Sequence, residues 1–144
     1  MVGVDDVAAY VLARKGPMSA MKLQKLVYYC QAWALVWDDA PLFREPIEAW
    51  ANGPVCPQLW EHHRGQFELM APWRWGIPER LSADEKATVD AVMDYYADRS
   101  AQWLSDLTHA EHPWAEARKG LSPGTRGSRL ITLDSMADYY SGLT

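Results

Sequence analysis

The sequence contains little of what marks an exported, membrane-bound or disulfide-bonded protein. Its two cysteines, Cys30 and Cys56, do not form a C-x-x-C pair, and Cys30 falls on an apolar helix face, where a reduced thiol packs like a small hydrophobe. No stretch approaches the roughly 18 apolar residues of a membrane span. The acidic residues 1–6 lead directly into an amphipathic segment without a cleavable apolar region. We therefore expect a cytoplasmic protein without a membrane partner.

Positive charge is also scarce. The chain has 14 Lys and Arg residues against 19 Asp and Glu residues, which gives a formal charge of −5. Proteins that bind duplex DNA or RNA rely on basic side chains that displace counterions from the phosphate backbone. The charge therefore argues against a nucleic acid as the main partner.

The sequence does contain enough apolar surface for one folded core. It has 144 residues, of which 49% are hydrophobic and 23% are charged, and this is typical of a globular domain. We predict a single domain over residues 1–144. Eight tryptophans and seven tyrosines supply large, rigid contact area, either in the core or at an interface with another protein.

Helical periodicity dominates the first forty residues. Apolar residues recur at helical spacing from residue 4 onwards, and Gly16 ends this first helix. A second helix is predicted to run from its N-cap Ser19 to about Trp37. Its apolar stripe, which makes it the central core helix, consists of Leu23, Leu26, Val27, Cys30, Ala34 and Trp37. The other sides of the helix are predicted to carry Lys22, Gln24, Lys25 and Gln31.

The remaining segments predict more helices and little β structure. In residues 42–55 apolar and polar positions alternate up to a turn at Asn52 and Gly53, which indicates one short extended element. Further helices are predicted after Pro57, after the capping box at residues 82–85, over residues 113–119 and over residues 133–141. The predicted fold class is mainly α: a compact single-domain bundle of six or seven helices with a minor extended element near residues 42–55.

A metal or catalytic site finds little support. His109, Glu111 and His112 are the densest group of candidate zinc ligands, but Pro113 interrupts the helix that would bring both histidines to one face. We interpret them as helix-end residues packed beneath Trp114. The glycine-rich residues 122–129 lack the ending of a P-loop and are interpreted as a flexible connector. We predict a non-enzyme without catalytic residues, metal or cofactor, and a metalloenzyme built on the two histidines is the least favoured alternative.

Three blocks of the sequence resemble one known family. Residues 21–33 (MKLQKLVYYCQAW) resemble the opening helix motif of the Panacea domain, the SocA-like antitoxin family. Residues 41–55 (PLFREPIEAWANGPV) resemble that family's second block, with Asn52 in place of the usual aromatic residue. Residues 107–114 (LTHAEHPW) are similar to the family's Pro-Trp ending. The resemblance spans roughly residues 7–118.

The resemblance implies an antitoxin that neutralises a cognate toxin protein by binding it directly. In one branch of the family it implies instead an adaptor that delivers the toxin to a protease. Family members neutralise unrelated toxins, so the resemblance does not identify this one. A role in phage defence or regulation is favoured if no toxin is encoded beside the chain. The alternative from another class is a winged-helix-like DNA-binding regulator, against which the net charge counts.

The residues also suggest a hypothesis for the partner-binding surface. It includes three side chains expected to face solvent on the second helix and two on the extended element: Lys22, Lys25, Tyr28, Trp50 and Asn52. The alternative, rated equally, is that Tyr28 and Trp50 belong to the core. In the expected mechanism a rigid helical body presents an aromatic and acidic surface, which covers the toxin's working face or competes for its basic substrate groove.

Overall fold

Two helices begin the chain. In the computed structural model, which describes residues 1–143, α1 spans Val4–Lys15 and α2 spans Ala20–Trp37. Gly16 ends α1 with a φ of 95°, and Ser19 caps α2 by accepting a 3.1 Å hydrogen bond from the Lys22 backbone N–H. Between the helices, β1 (Met18–Ser19) pairs antiparallel with β4 (Glu68–Leu69). Both helices thus begin and end where the periodicity and capping residues predict.

Helices also predominate in the rest of the described chain. They are α3 (Pro57–His63), α4 (Ala83–Tyr96), α5 (Ala101–Ala110), α6 (His112–Ala117) and α7 (Leu133–Ser141), with a 3-10 helix at Pro78–Arg80. Seven α-helices in one compact domain over the described residues confirm the mainly α fold. None of these helices is long and apolar enough to cross a membrane.

The β structure is richer than the single extended element predicted. A three-stranded antiparallel sheet has the order β3 (Gly53–Val55), β2 (Ile47–Trp50), β5 (Arg129–Ile131). The extended segment does not end at the Asn52–Gly53 turn, because β3 continues through Pro54 as an edge strand, where a residue without a backbone N–H is tolerated. Arg129, expected in a connector, lies in β5, which pairs with β2.

The core surrounds α2 on nearly every side. This helix contacts α1, α4, α5 and α7 as well as β3. The residues predicted on its polar sides include Gln24, Lys25 and Gln31, yet their exposed fractions are 3%, 1% and 1%. Gln31 accepts from the Leu42 N–H at 2.7 Å and donates to the Phe43 carbonyl at 2.8 Å. Gln24 and Gln31 are therefore buried with their amides bonded to the backbone of later residues, Cys56 for Gln24 and Leu42 and Phe43 for Gln31.

A buried carboxylate fixes α7 to α2. Tyr29 of α2 and Tyr140 of α7 both donate to Glu111 Oε1 at 2.7 Å, and the hydroxyls of Tyr28 and Tyr140 lie 3.0 Å apart. Burial raises the pKa of Glu111, and the two tyrosine hydrogen bonds oppose that shift. Tyr28 is 1% exposed, so the expectation that it faces solvent is wrong.

Candidate partner-binding cleft

A cleft of about 570 Å³ opens between the start of α2, the β2–β3 turn, α3 and the loop before β5. We name it the Lys25 cleft. Its lining consists of Ala20, Met21, Gln24, Lys25, Trp50, Ala51, Asn52, Val55, Trp60, His63, Arg64, Gly65, Gln66, Arg126, Gly127 and Ser128. The lining contains one lysine, two arginines and no carboxylate, although the whole chain carries a formal charge of −5. The cleft is therefore a local site of positive charge on an acidic protein.

Lys25 is the most confined of these cations. Burial, without a compensating charge, lowers the pKa of Lys25 to about 8. Every fully buried side-chain nitrogen or oxygen in the described residues has a hydrogen-bond partner, whereas the structure gives Lys25 none. The small exposed fraction of Lys25 thus includes its ammonium group, which faces the cleft.

One wall of the cleft is fixed by Gln24. Its Oε1 accepts from the Cys56 N–H at 2.9 Å, and its Nε2 donates to the Cys56 carbonyl at 3.3 Å. The same Nε2 lies 3.0 Å from His63 Nε2. Since an amide nitrogen only donates, His63 Nε2 accepts here and its ring is neutral. Burial lowers the pKa of His63, which favours this neutral form.

Side chains of α5, α6 and the residue after α6 hold the opposite wall. Four consecutive carbonyls, from residue 49 to residue 52, each face a side-chain nitrogen or hydroxyl of that segment. The pairs are Arg118 Nη1 with Ala49 O at 3.0 Å, Trp114 Nε1 with Trp50 O at 2.8 Å, His109 Nε2 with Ala51 O at 3.2 Å and Ser105 Oγ with Asn52 O at 3.0 Å. We name this arrangement the carbonyl clamp. It sets the position of the β2–β3 turn above Lys25.

The clamp also accounts for the residues considered as zinc ligands. His109 Nδ1 lies 2.6 Å from the Ser105 carbonyl, and the ring packs edge-on against Trp114 with centroids 4.0 Å apart. Glu111 is bonded to the tyrosines, and His112 lies near Glu116 at 3.9 Å. Over residues 1–143 no group of three or more His, Cys, Asp or Glu side chains is arranged to hold a metal ion.

The cleft unites three of the five predicted partner-binding residues. Lys25, Trp50 and Asn52 line it together. Lys25 is buried and not solvent-facing, so that part of the expectation is wrong: β3 covers its stem, and Gly53 lies against it. Lys22 is half-buried outside the cleft, where its pKa is lowered by burial and by Lys15. Tyr28 lies in the core beside Tyr140.

Among the cleft residues that were not predicted as partner-binding, four have an indole, imidazole or guanidinium group: Trp60, His63, Arg64 and Arg126. Trp60, His63 and Arg64 lie at positions i, i+3 and i+4 of α3 and its C-cap, and that spacing is the signal that could have grouped them. Arg126 belongs to the segment interpreted as a connector, and no local pattern could have placed it opposite α3. Arg64 has two neighbours of its own: Glu61 at 3.8 Å and the Trp60 ring, whose centroid is 5.5 Å away.

Comparison with known protein families shows which part of the chain belongs to a known domain. The family model described as Antitoxin SocA-like, Panacea domain, matches residues 23–115, which is more than half of the chain. The chain belongs to this family. No curated protein and no solved structure shows significant similarity to it.

The Panacea segment contains most of the cleft but not the whole of the fold. Lys25, Trp50 and Trp60 fall inside residues 23–115, as do three of the four side chains of the carbonyl clamp. The helices α1 and α7 and the strand β5 lie outside it, as does Arg126. The match is narrower than the predicted span of 7–118 and includes all but the first two residues of the three blocks. In this chain, elements outside the Panacea segment complete the cleft.

Proposed function

We propose that the chain is the antitoxin of a toxin–antitoxin pair and neutralises its cognate toxin by direct protein–protein binding at the Lys25 cleft and its rim. Membership of the antitoxin-like family supports the class of function. We choose this surface because exposed apolar side chains form a rim beside the cationic cleft.

Two large apolar side chains form this rim. Phe67 is 83% exposed and follows Gln66, a cleft residue, while Met21 is 40% exposed and lines the cleft itself. The Ala20 N–H donates to the Phe67 carbonyl at 2.8 Å, which brings the two segments together. An apolar patch around a pocket is typical of a protein interface, in which buried aromatic anchors supply most of the binding energy.

The charge of the cleft refines the mechanism expected from composition. The sequence predicts an aromatic and acidic surface that covers the toxin's working face or competes for its basic substrate groove, whereas the cleft presents Lys25, Arg64 and Arg126. The proposed contact therefore places an acidic group of the toxin in the cleft and an apolar patch of the toxin against Phe67. Acidic surfaces elsewhere on the chain remain available to speed encounter with basic toxins.

The test uses the protein encoded beside this chain. It is expressed alone and together with the wild type, Phe67→Ser or Tyr95→Ser, and cell growth and copurification are measured. Tyr95 is a matched control because it is 61% exposed and lies outside the cleft. We expect the wild type and Tyr95→Ser to restore growth and copurify with the neighbour, and Phe67→Ser to lose both.

Toxin abundance distinguishes the two modes of neutralisation. Restored growth with an unchanged toxin level supports blocking by direct binding. Restored growth with a protease-dependent fall in toxin level would replace blocking with the adaptor mechanism. A neighbour that is harmless when expressed alone, combined with tight duplex DNA binding that weakens steeply with salt, would contradict the antitoxin proposal and favour the DNA-binding regulator.

A further inference from the structure

The ammonium group of Lys25 lacks any partner within the described chain. The side chain is 1% exposed, and neither a hydrogen-bond acceptor nor a carboxylate is bonded to Nζ. Buried charges in proteins are as a rule paired or hydrogen-bonded, because removing an ion from water costs several kcal/mol. Lys25 is thus an incomplete ion pair whose open side is the cleft.

The surroundings of Lys25 determine the sign of the missing partner. The other cationic groups on the lining are Arg64 and Arg126, and His63 accepts from Gln24 in its neutral form. Two carboxylates on elements that border the cleft have partners of their own, since Glu48 of β2 accepts from Trp50 Nε1 at 2.9 Å and Glu61 of α3 lies 3.8 Å from Arg64. The site repels metal cations and favours an anion.

The aromatic walls of the cleft indicate which group carries the anion. The Trp50 and Trp60 rings lie 5.4 Å apart at an interplanar angle of 65°. Because the Trp50 N–H is already bonded to Glu48, this ring offers its face more than its donor. A volume of about 570 Å³ lies within the range of small-molecule sites, which combine aromatic walls with one or two fixed polar groups.

We propose that the Lys25 cleft binds an anionic group, a carboxylate or a phosphate, that is carried on a planar ring. The anion bonds to Lys25 Nζ at the floor, the ring packs against Trp50 and Trp60, and Arg126 borders the open side. Two sources present this chemistry: a free nucleotide-like molecule, or the terminal carboxylate of an aromatic residue on a partner chain.

Calorimetric titration of the full chain tests the proposal with two matched pairs of probes. The first pair is adenosine monophosphate and adenosine, and the second is N-acetyltryptophan and N-acetyltryptophanamide. We expect the anionic member of one pair to bind saturably, with an affinity about tenfold or more above that of its neutral counterpart. The pair that shows this preference identifies the source, as phosphate or as terminal carboxylate. Equal affinities within both pairs, or no binding by any probe, overturns the proposal.

Variants then assign the preference to Lys25. Lys25→Met keeps the length of the stem and removes the charge, and we expect it to abolish the difference between the anionic and neutral probes. Lys22→Met, on the same helix but outside the cleft, serves as the control and retains the difference. A preference that persists in Lys25→Met overturns the assignment. The titrations of the wild type decide the proposal even if Lys25→Met does not fold.

The terminal-carboxylate source rests on the proposed toxin binding, which places an acidic group of the toxin in the cleft, whereas the nucleotide-like source does not, and the test contains no toxin. Absence of anion binding would remove the acidic contact from the proposed interface, whereas growth rescue through Phe67 is measured separately. Conversely, failure of rescue would leave the preference for anionic probes unaffected.

Discussion

Gly53 lies directly against Lys25, so that a Cβ atom at residue 53 would be 2.4 Å from Lys25 Cε and 3.0 Å from Nζ. The glycine also has a φ of 127°, a conformation that other residues rarely adopt. The β2–β3 turn therefore covers the lysine so closely that only hydrogen fits between them.

We expect Gly53→Ala to lower the free energy of unfolding by about 1–3 kcal/mol, because the backbone becomes strained and the end of the Lys25 side chain must shift. Gly65→Ala is the matched control, since its φ of 84° is also positive but its Cβ would meet nothing within 4 Å. Urea unfolding measures both. A double variant with Lys25→Ala should recover part of the loss, and additive effects would show that the contact is not responsible.

Lys25 itself should destabilise the free protein at neutral pH. Its folded-state pKa of about 8 lies below the ordinary value of 10.5, so the folded state disfavours the charged form. The resulting cost, on the order of 3 kcal/mol, is fully present below pH 8 and disappears as the pH rises to 10.5. We expect Lys25→Met to be more stable than the wild type at pH 7, with a difference that narrows between pH 8 and 10.5.

The buried tyrosines and cysteines are common to the wild type and Lys25→Met. Their contribution to the pH dependence of stability therefore cancels in the difference between the two proteins. Chemical unfolding at pH 7, 8, 9 and 10 provides the measurement. A wild type as stable as Lys25→Met at pH 7 would contradict a cost of burying the charged form of Lys25.

Trp114→Phe should loosen the carbonyl clamp. The substitution removes the donor to the Trp50 carbonyl and part of the ring that packs on His109. We expect a loss of about 1–3 kcal/mol in the free energy of unfolding. Trp37→Phe is the control, because Trp37 is 47% exposed and its indole N–H makes no hydrogen bond in the described structure. Equal effects of the two substitutions in thermal unfolding would argue against a structural role for the clamp.

Glu111 should make stability fall as the pH rises above 4.5. Burial raises its folded-state pKa above the ordinary value of 4.5, so the folded protein retains this proton after the unfolded chain has lost it. Glu111→Gln mimics the protonated form, and we expect its stability relative to the wild type to increase from pH 4.5 upward. Unfolding experiments from pH 4 to pH 7 measure the difference. A relative stability that decreases instead would show that the bonds from Tyr29 and Tyr140 outweigh desolvation.

The parts of the fold that depend on neighbouring residues were predictable from sequence. Ser19 caps α2, Ser82 and Glu85 form the capping box of α4, and Thr132 caps α7 through the Ser135 N–H. In each case the stabilising bond spans three residues, so a short pattern contains both partners. The same locality explains why the bounds of α2 and α7 agree with the structure.

The candidate site was predictable only in part because long-range contacts determine it. Trp50 and Asn52 share a sequence block, but Lys25 joins them only when α2 packs against β3. Helical periodicity placed Lys25 and Tyr28 away from the main apolar stripe and could not reveal that β3 and α7 cover those sides. Arg126 reaches the cleft through the loop before β5, whose pairing with β2 no local pattern indicates.

The hydrogen bond between Tyr28 and Tyr140 joins residues that are 112 positions apart. During synthesis the ribosome releases α2 long before α7 exists, so the tyrosine-lined side of the central helix stays uncovered while more than a hundred further residues are added. During that interval the apolar surface is accessible to chaperones and proteases. Until residue 140 has emerged, folding of the chain competes with its degradation.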